Sequence, residues 1–375
     1  MNGLKENAPF LVLCLLSINN ISFKGYNDFF KDYIDLKNTF SVKGIFVWMI
    51  IFFHYELYYK RKKRFLYEQI LDAVDQKVVT IFFFYSGYGI YESIKKKGNK
   101  YCKTLLKKSL IIFIKSELII LIFLLRIFIY QKYITFKKFI LTIIFKSSIG
   151  NSNWYAFVII LFYIYAFLAF GFIKNKKYNF IGIIIITILC VFHAYFSYYY
   201  YYYYRMYSAD NTLTFILGFL YSVIRIYTDK FIMKYDFVYF GIFGVFSFIY
   251  YYFYINKGVN ILLHNCMNGT FSLIVILITM KIRFDNDFLR FLNIHSYSIY
   301  FLQRVVLKTF YEEKYLIKYE NIRIMIQFVL IIFIATIFDY STSFIDKYFK
   351  RVDHRLEVKE NIELVEEPKN NNKKK

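Results

Sequence analysis

The chain has 375 residues, of which 58% are hydrophobic and 23% aromatic, and its formal net charge is +23. Apolar runs of about 18 or more residues recur along its length, which excludes a soluble globular protein and indicates a polytopic membrane protein. The lysines and arginines fall in short stretches between those runs, and no basic domain stands apart from them, which excludes nucleic acid as a partner.

Residues 1–40 read as an N-terminal cytoplasmic or interfacial segment. Its apolar piece, 8–19, is too short to span and lacks a small-residue cleavage site, so it is expected to be interfacial or re-entrant. From 41 to 345 the apolar runs predict about ten spanning helices, near 43–58, 76–94, 109–129, 154–173, 179–197, 212–228, 237–254, 260–280, 290–308 and 324–345. Residues 136–149, FKKFILTIIFKSSI, are amphipathic and too short to cross, so they are placed along the interface. The run of seven tyrosines at 198–204 is what an AT-rich coding sequence produces, and it suits a helix end at the membrane–water interface. The charged tail 346–375 is predicted to be disordered. The expected fold class is an all-α polytopic membrane protein, with about ten transmembrane helices plus an interfacial helix.

Lysine and arginine bias puts both termini in the cytoplasm, with the basic loops 95–108 and 174–177 on that side of the cell membrane. The stretch KRKKR at 60–64 runs against this rule. Cys14, Cys102, Cys190 and Cys266 are scattered, without CxxC or zinc spacing, and no metal site is expected.

The first span holds KGIFVWMIIFFH, residues 43–54. A helix advances about 100° and 1.5 Å per residue. Lys43 and His54 therefore lie on one face, about 16 Å apart, with Val47, Ile50 and Tyr58 on the same side. Lysines commonly mark cytoplasmic helix ends, which alone accounts for Lys43. Ionisable groups at depth are functional by default, and a histidine there can serve as a general base near neutral pH.

In the second span, TIFFFYSGYGIYES (80–93), Ser86, Gly87 and Gly89 allow either close helix packing or close approach of backbone to a ligand. The third span contains Glu117, with Lys115 and Arg126 near it. Its carboxylate could orient an imidazolium or bind sugar hydroxyls, or it could pair with a cation and hold helices together. His193 and His264 lie within reach of the outer interface, where a structural role is the simpler account. Asn153 and Trp154 open the fourth span on the outer side, where Trp is either an interfacial anchor or a stacking platform for a sugar. Gln303 is a buried amide that needs partners.

Taken in order, these pieces resemble membrane-bound acyltransferase family 3, the integral-membrane O-acyltransferases. The likeness rests on several elements: Lys43 and His54 in the first helix; FFFYSGYG (82–89), with Ser86, Gly87 and Tyr88; NSNWYAFVIILFYIYAF (151–167), with Trp154 and Tyr155; NTLTFILGFL (211–220); and HSYSIYFLQ (295–303), with Tyr297, Tyr300 and Gln303. Where the family has a spaced pair of arginines after the second helix, only Lys103, Lys107 and Lys108 stand here. The resemblance implies transfer of an acyl group, most often acetyl from acetyl-CoA, to a hydroxyl of a surface polysaccharide or lipid-linked glycan. No cofactor is bound, and the partners are the acyl-CoA, the glycan and membrane lipid. It places Lys43, Lys103, Lys107, Lys108, Ser86, Gly87 and Tyr88 on the donor side and Asn153, Trp154, Tyr155, Tyr297, Tyr300 and Gln303 on the acceptor side. It makes His54 the base; Glu117, from its place in the third span, is the second catalytic candidate.

Two other classes compete. A transporter or flippase would show repeated halves and Gly- or Pro-broken helices in matching positions, and neither is visible. A polysaccharide polymerase is expected to carry a large outer loop with arginines, and the outer loops here are short.

Overall fold

A computed structural model describes residues 8–59, 66–74, 77–200, 209–256, 260–313 and 320–366. In chain order the helices are α1 (Ala8–Ser17), α2 (Leu36–Tyr58), α3 (Leu66–Val74), α4 (Lys77–Lys97), α5 (Asn99–Ile129), α6 (Phe136–Ile143) and α7 (Trp154–Phe170). They continue with α8 (Asn179–Tyr200), α9 (Thr212–Ile232), α10 (Asp236–Ile255), α11 (Ile261–Lys281), α12 (Asp287–Ile294), α13 (Ser296–Glu312) and α14 (Glu320–Glu366). The helical expectation holds except for one small clasp. Strand β1 (Ile21–Phe23) pairs antiparallel with β2 (Ile282–Phe284), tying the N-terminal segment to the end of α11.

Among the described residues, five helices are long and apolar enough to cross a membrane: Leu36–Tyr58, Asn179–Tyr199, Asp236–Ile255, Ile261–Lys281 and Asn321–Phe349. The other predicted intervals also hold helices, but charge or length keeps them below that standard. Helix α7 has 17 residues, α4 carries Glu92 and Lys95 to Lys97, α9 carries Arg225, Asp229 and Lys230, and α13 carries Arg304 and Lys308.

Several expectations change in detail. The interval 290–308 is two helices, broken at His295, which ends α12 and caps α13. The basic loop at 95–108 is helical on both sides of Gly98, whose φ of +66° turns the chain in a single residue. Lysines are good helix formers and favour a helix C-terminus, so the charge run need not break the helix. Of 136–149, only Phe136–Ile143 is helical; Phe145 and Gly150 then take positive φ and end the amphipathic pattern. The tail predicted to be disordered is helical as far as Glu366, because no Gly or Pro interrupts the chain between Glu320 and Glu366. The stretch 60–64 and tyrosines 201–204 lie outside the described residues.

Packing is set by close backbone approaches. A Cβ on Gly87 would stand 2.0 Å from the Phe215 carbonyl oxygen, and one on Gly218 would stand 2.1 Å from that of Phe84. Helices α4 and α9 thus touch backbone to backbone through two reciprocal small residues. Gly44 does the same for α2 against α12, where a Cβ would meet the Leu289 carbonyl at 2.1 Å. On the other side of α2, Trp48 and Phe52 receive α1. Phe10 packs edge-on to both, at 5.3 and 5.9 Å, and the Trp48 indole donates to Ser17 Oγ at 3.0 Å.

Candidate active site

Asp35 caps α2 by accepting from the Asn38 N–H at 2.8 Å, so the helix starts at Leu36. Lys43 therefore lies two turns inside, about 10 Å from the helix start, and not at its end. Its ammonium sits 5.0 Å from the centre of the Phe40 ring, and among the described residues no carboxylate pairs with it. His54 is buried, and its Nδ1 has no hydrogen-bond partner.

Between those two residues, on the same stripe of α2, are Val47 and Ile50. Both line a cavity of about 70 Å³, whose other walls are Val79 and Phe82 of α4, Tyr155 of α7, and Ser296, Tyr297, Ile299 and Tyr300 of α13. The face-sharing of Lys43, Val47, Ile50 and His54 thus corresponds to a real hollow. Its walls are mostly apolar. Its volume suits a small acyl group or a few waters rather than a nucleotide.

Helix α13 runs beside α2 in the same direction. Tyr300 presents its ring edge-on to His54 at 6.1 Å, and Tyr155 packs on the other side of Tyr300 at 5.2 Å. Further along, Gln303 interacts with His54 and donates from Nε2 to the Tyr300 carbonyl at 2.9 Å, while its Oε1 is buried without a partner. Arg304 follows, close enough for its charge to act on His54 and Tyr58. At the ends of the two helices Tyr58 and Tyr311 pack at 5.9 Å.

Tyr297 is held from behind. Its hydroxyl lies 2.7 Å from Ser116 Oγ and donates to the Ile112 carbonyl at 3.1 Å. One residue from Ser116 is Glu117, whose charge bears on Tyr297 and whose Oε1 is buried and unpartnered. Neither cation offered as its partner is available: Lys115 pairs with Asp346 at 2.8 Å, and Arg126 pairs with Glu312. His295, at the α12–α13 break, contacts Asp339 at 2.6 Å, and the same carboxylate accepts from Ser298.

The remaining sequence candidates divide. Tyr155, Tyr297 and Tyr300 line the cavity, and Gln303, which does not, bonds to the carbonyl of Tyr300. Asn153 holds the α6–α7 connection, donating to the Ser147 carbonyl at 2.8 Å. Trp154 is buried, 6.4 Å from the Phe83 ring, rather than displayed at an outer surface. Gly87 sits in the α4–α9 contact, where a Cβ would meet the Phe215 carbonyl. Ser86 interacts with Tyr163. Tyr88 accepts from Arg225 at 2.7 Å, within a network that also joins Tyr33, Tyr221 and Asp229. Lys103 is exposed, Lys107 donates to the Phe349 carbonyl, and Lys108 donates to Tyr101 at 3.0 Å. None of these three lysines lines the cavity.

Arg304, Ser116 and Asp339 were not singled out from the sequence. An arginine directly after HSYSIYFLQ, inside an otherwise apolar helix, is the signal that could have found the first. The other two become visible only when α5 and α14 are brought against α13.

A family model described as an acyltransferase domain matches residues 33–340. No curated protein and no solved structure matches the chain.

Proposed function

The chain belongs to acyltransferase family 3, the membrane O-acyltransferases, and from that premise we propose that it moves acetyl from cytoplasmic acetyl-CoA to a hydroxyl of a cell-surface or lipid-linked polysaccharide. It is an acyltransferase with several apolar helices, and the match favours an enzyme over a transporter. The cytoplasmic membrane, with both termini inside, is the setting that suits a cytoplasmic thioester donor.

The observation that carries the reading is the cavity lying along the α2 stripe between Lys43 and His54. The donor's phosphates stay outside, near Lys43, and the thioester end enters among Val47, Ile50, Tyr297 and Tyr300. His54 takes the proton of the acceptor hydroxyl as its oxygen attacks the thioester carbonyl. The tetrahedral intermediate collapses with cleavage of the C–S bond. The departing CoA thiolate recovers the proton from the imidazolium, leaving the ester, free CoA and neutral His54. A sugar hydroxyl is a weak nucleophile at neutral pH, so a positioned base contributes about 10²–10⁴-fold.

The test uses a host that lacks its own copy of the gene, complemented at equal levels with wild type or His54→Ala. Base-labile acetate on purified surface polysaccharide is expected to fall to the deletion level in the variant. Equal acetylation in both would remove His54 from the chemistry. Equal acetate in the deletion strain and wild type would remove the polysaccharide as acceptor.

A further inference from the structure

Building on His54 as the group that activates the acceptor, we propose that the acceptor bears an anionic group, a carboxylate or a phosphate, close to the hydroxyl that is acylated, and that Arg304 receives it. Arg304 lies one turn beyond Tyr300 on α13, on the side of Tyr300 that leads along α2 from His54 to Tyr58. Its Nε is buried and has no hydrogen-bond partner.

Among the described residues, the two carboxylates at the end of α13 are engaged elsewhere. Glu312 accepts from Arg126 and Lys132, and Glu313 accepts from Tyr130 at 3.1 Å. Glu56, two residues past His54, points about 200° away around α2. Among the described residues no carboxylate pairs with Arg304, although its charge acts directly on the imidazole.

Beside it, Gln303 and His54 interact with each other, yet Gln303 Oε1 and His54 Nδ1 are buried without a well-aligned hydrogen bond, on residues 0% and 6% exposed. Buried polar atoms in a folded protein nearly always have partners, so three unmet atoms on neighbouring turns of two helices point to a missing polar ligand. The set is one charged donor, one amide oxygen that accepts, and one imidazole nitrogen that accepts in the tautomer a general base requires. An acceptor with a free hydroxyl and a nearby anion meets two of the three at once: the hydroxyl donates to His54, and the anion accepts from Arg304. A guanidinium binds carboxylate and phosphate through paired, geometrically fixed N–H groups, which a lone ammonium cannot do. A neutral acceptor would leave the Arg304 charge uncompensated beside the base.

The experiment uses the purified full chain in lipid nanodiscs with radiolabelled acetyl-CoA and matched acceptors. One pair is a glucuronate-terminated and a glucose-terminated oligosaccharide, which differ only at C6. The other is one sugar carried on a lipid diphosphate and on a neutral lipid. The pair showing the preference identifies whether carboxylate or phosphate is the source of the charge. Wild type is expected to favour at least one charged acceptor by about tenfold in kcat/KM. R304Q is expected to reduce that ratio to near one, mainly through KM, and R304K to keep part of it. A wild-type ratio near one in both pairs overturns the proposal. So does an R304Q variant that slows charged and neutral acceptors by the same factor, which would assign Arg304 to the reacting carbonyl. Should R304Q fail to accumulate, R304K and salt decide: the wild-type ratio must fall as salt rises from roughly 20 to 300 mM, and a ratio indifferent to salt and to R304K overturns the proposal. Transfer to no acceptor, with acetyl-CoA left intact, overturns the acyl-transfer reading itself and this inference with it.

Discussion

Lys43 and His54 lie on one stripe of α2, and the two residues between them on that stripe, Val47 and Ile50, form a wall of the cavity. Ile50 is the position from which its volume can be changed. Ile50→Trp places an indole in a space of about 70 Å³ and is expected to lower acetyl transfer by about 10²-fold or more. Ile50→Ala enlarges the space, so it should keep acetyl transfer within a few fold and raise the rate with propionyl- and butyryl-CoA. Rates with the three donors on purified protein check both. If Ile50→Trp is as active as wild type, the acyl group does not pass through this cavity.

Lys43 is two turns inside α2, which weakens its reading as a helix-end marker. Its ammonium rests on Phe40, and among the described residues it has no carboxylate partner, as a cation awaiting an anion would. Lys43→Glu is expected to raise the KM for acetyl-CoA by about tenfold, with a smaller effect on the acceptor KM, and Lys43→Arg to recover most of the loss. Steady-state kinetics on protein of matched yield check this. Loss of the protein from the membrane, in place of a KM effect, would return Lys43 to a topological role.

The reciprocal contact of Gly87 and Gly218 makes a stability prediction that separates packing from donor binding. A Cβ at 2.0 Å from a backbone carbonyl cannot be relieved by a rotamer change, so α4 and α9 must move apart. Gly87→Val and Gly218→Val are each expected to destabilise by about 3 kcal/mol, at the upper end of overpacking costs. Thermal unfolding in detergent should show equal losses for the two, because they act on one interface. If Gly87→Val leaves stability intact and only weakens acetyl-CoA binding, Gly87 belongs to the donor site after all.

Much of this arrangement is legible in the sequence, and the parts that are not share a cause. The α2 stripe is a consequence of helical period, and the cavity between Lys43 and His54 follows the face that period predicts. The late tyrosines 297 and 300 fall on that cavity because they lie one turn apart on α13, within a quotable motif. Gly87 and Trp154 sit in equally quotable motifs, yet one is spent on the helix–helix contact and the other is buried against Phe83. A motif states that a residue matters, while only the neighbouring helix decides for what. The lysines of 95–108 look like a loop in the sequence, but lysine has a good helix propensity, and Gly98 alone makes the bend. Arg304 lies inside the predicted span 290–308, and what it does becomes visible only with α2 alongside it.

Glu117 offers the sharpest separation of structure from chemistry. Its neighbours on α5, Lys115 and Arg126, already have carboxylates of their own, so Glu117 is not the member of an ion pair that holds α5 to another helix. Its Oε1 is buried and unpartnered, and its charge bears on Tyr297, a wall of the cavity. Glu117→Gln keeps the shape and one acceptor oxygen while removing the charge. If Glu117 orients the acceptor or the imidazole, transfer is expected to fall by about 10–10²-fold with the unfolding temperature unchanged. A structural carboxylate gives the reverse, a lower unfolding temperature with normal transfer per folded molecule. Tyr297→Phe is the companion variant. It removes the hydroxyl that binds Ser116 and Ile112 and is expected to cost about 1 kcal/mol of stability. The pair is read by double-mutant cycle: coupling of about 1 kcal/mol or more between positions 117 and 297, measured in transfer rate, places both on the path of the acyl group, and additivity separates them.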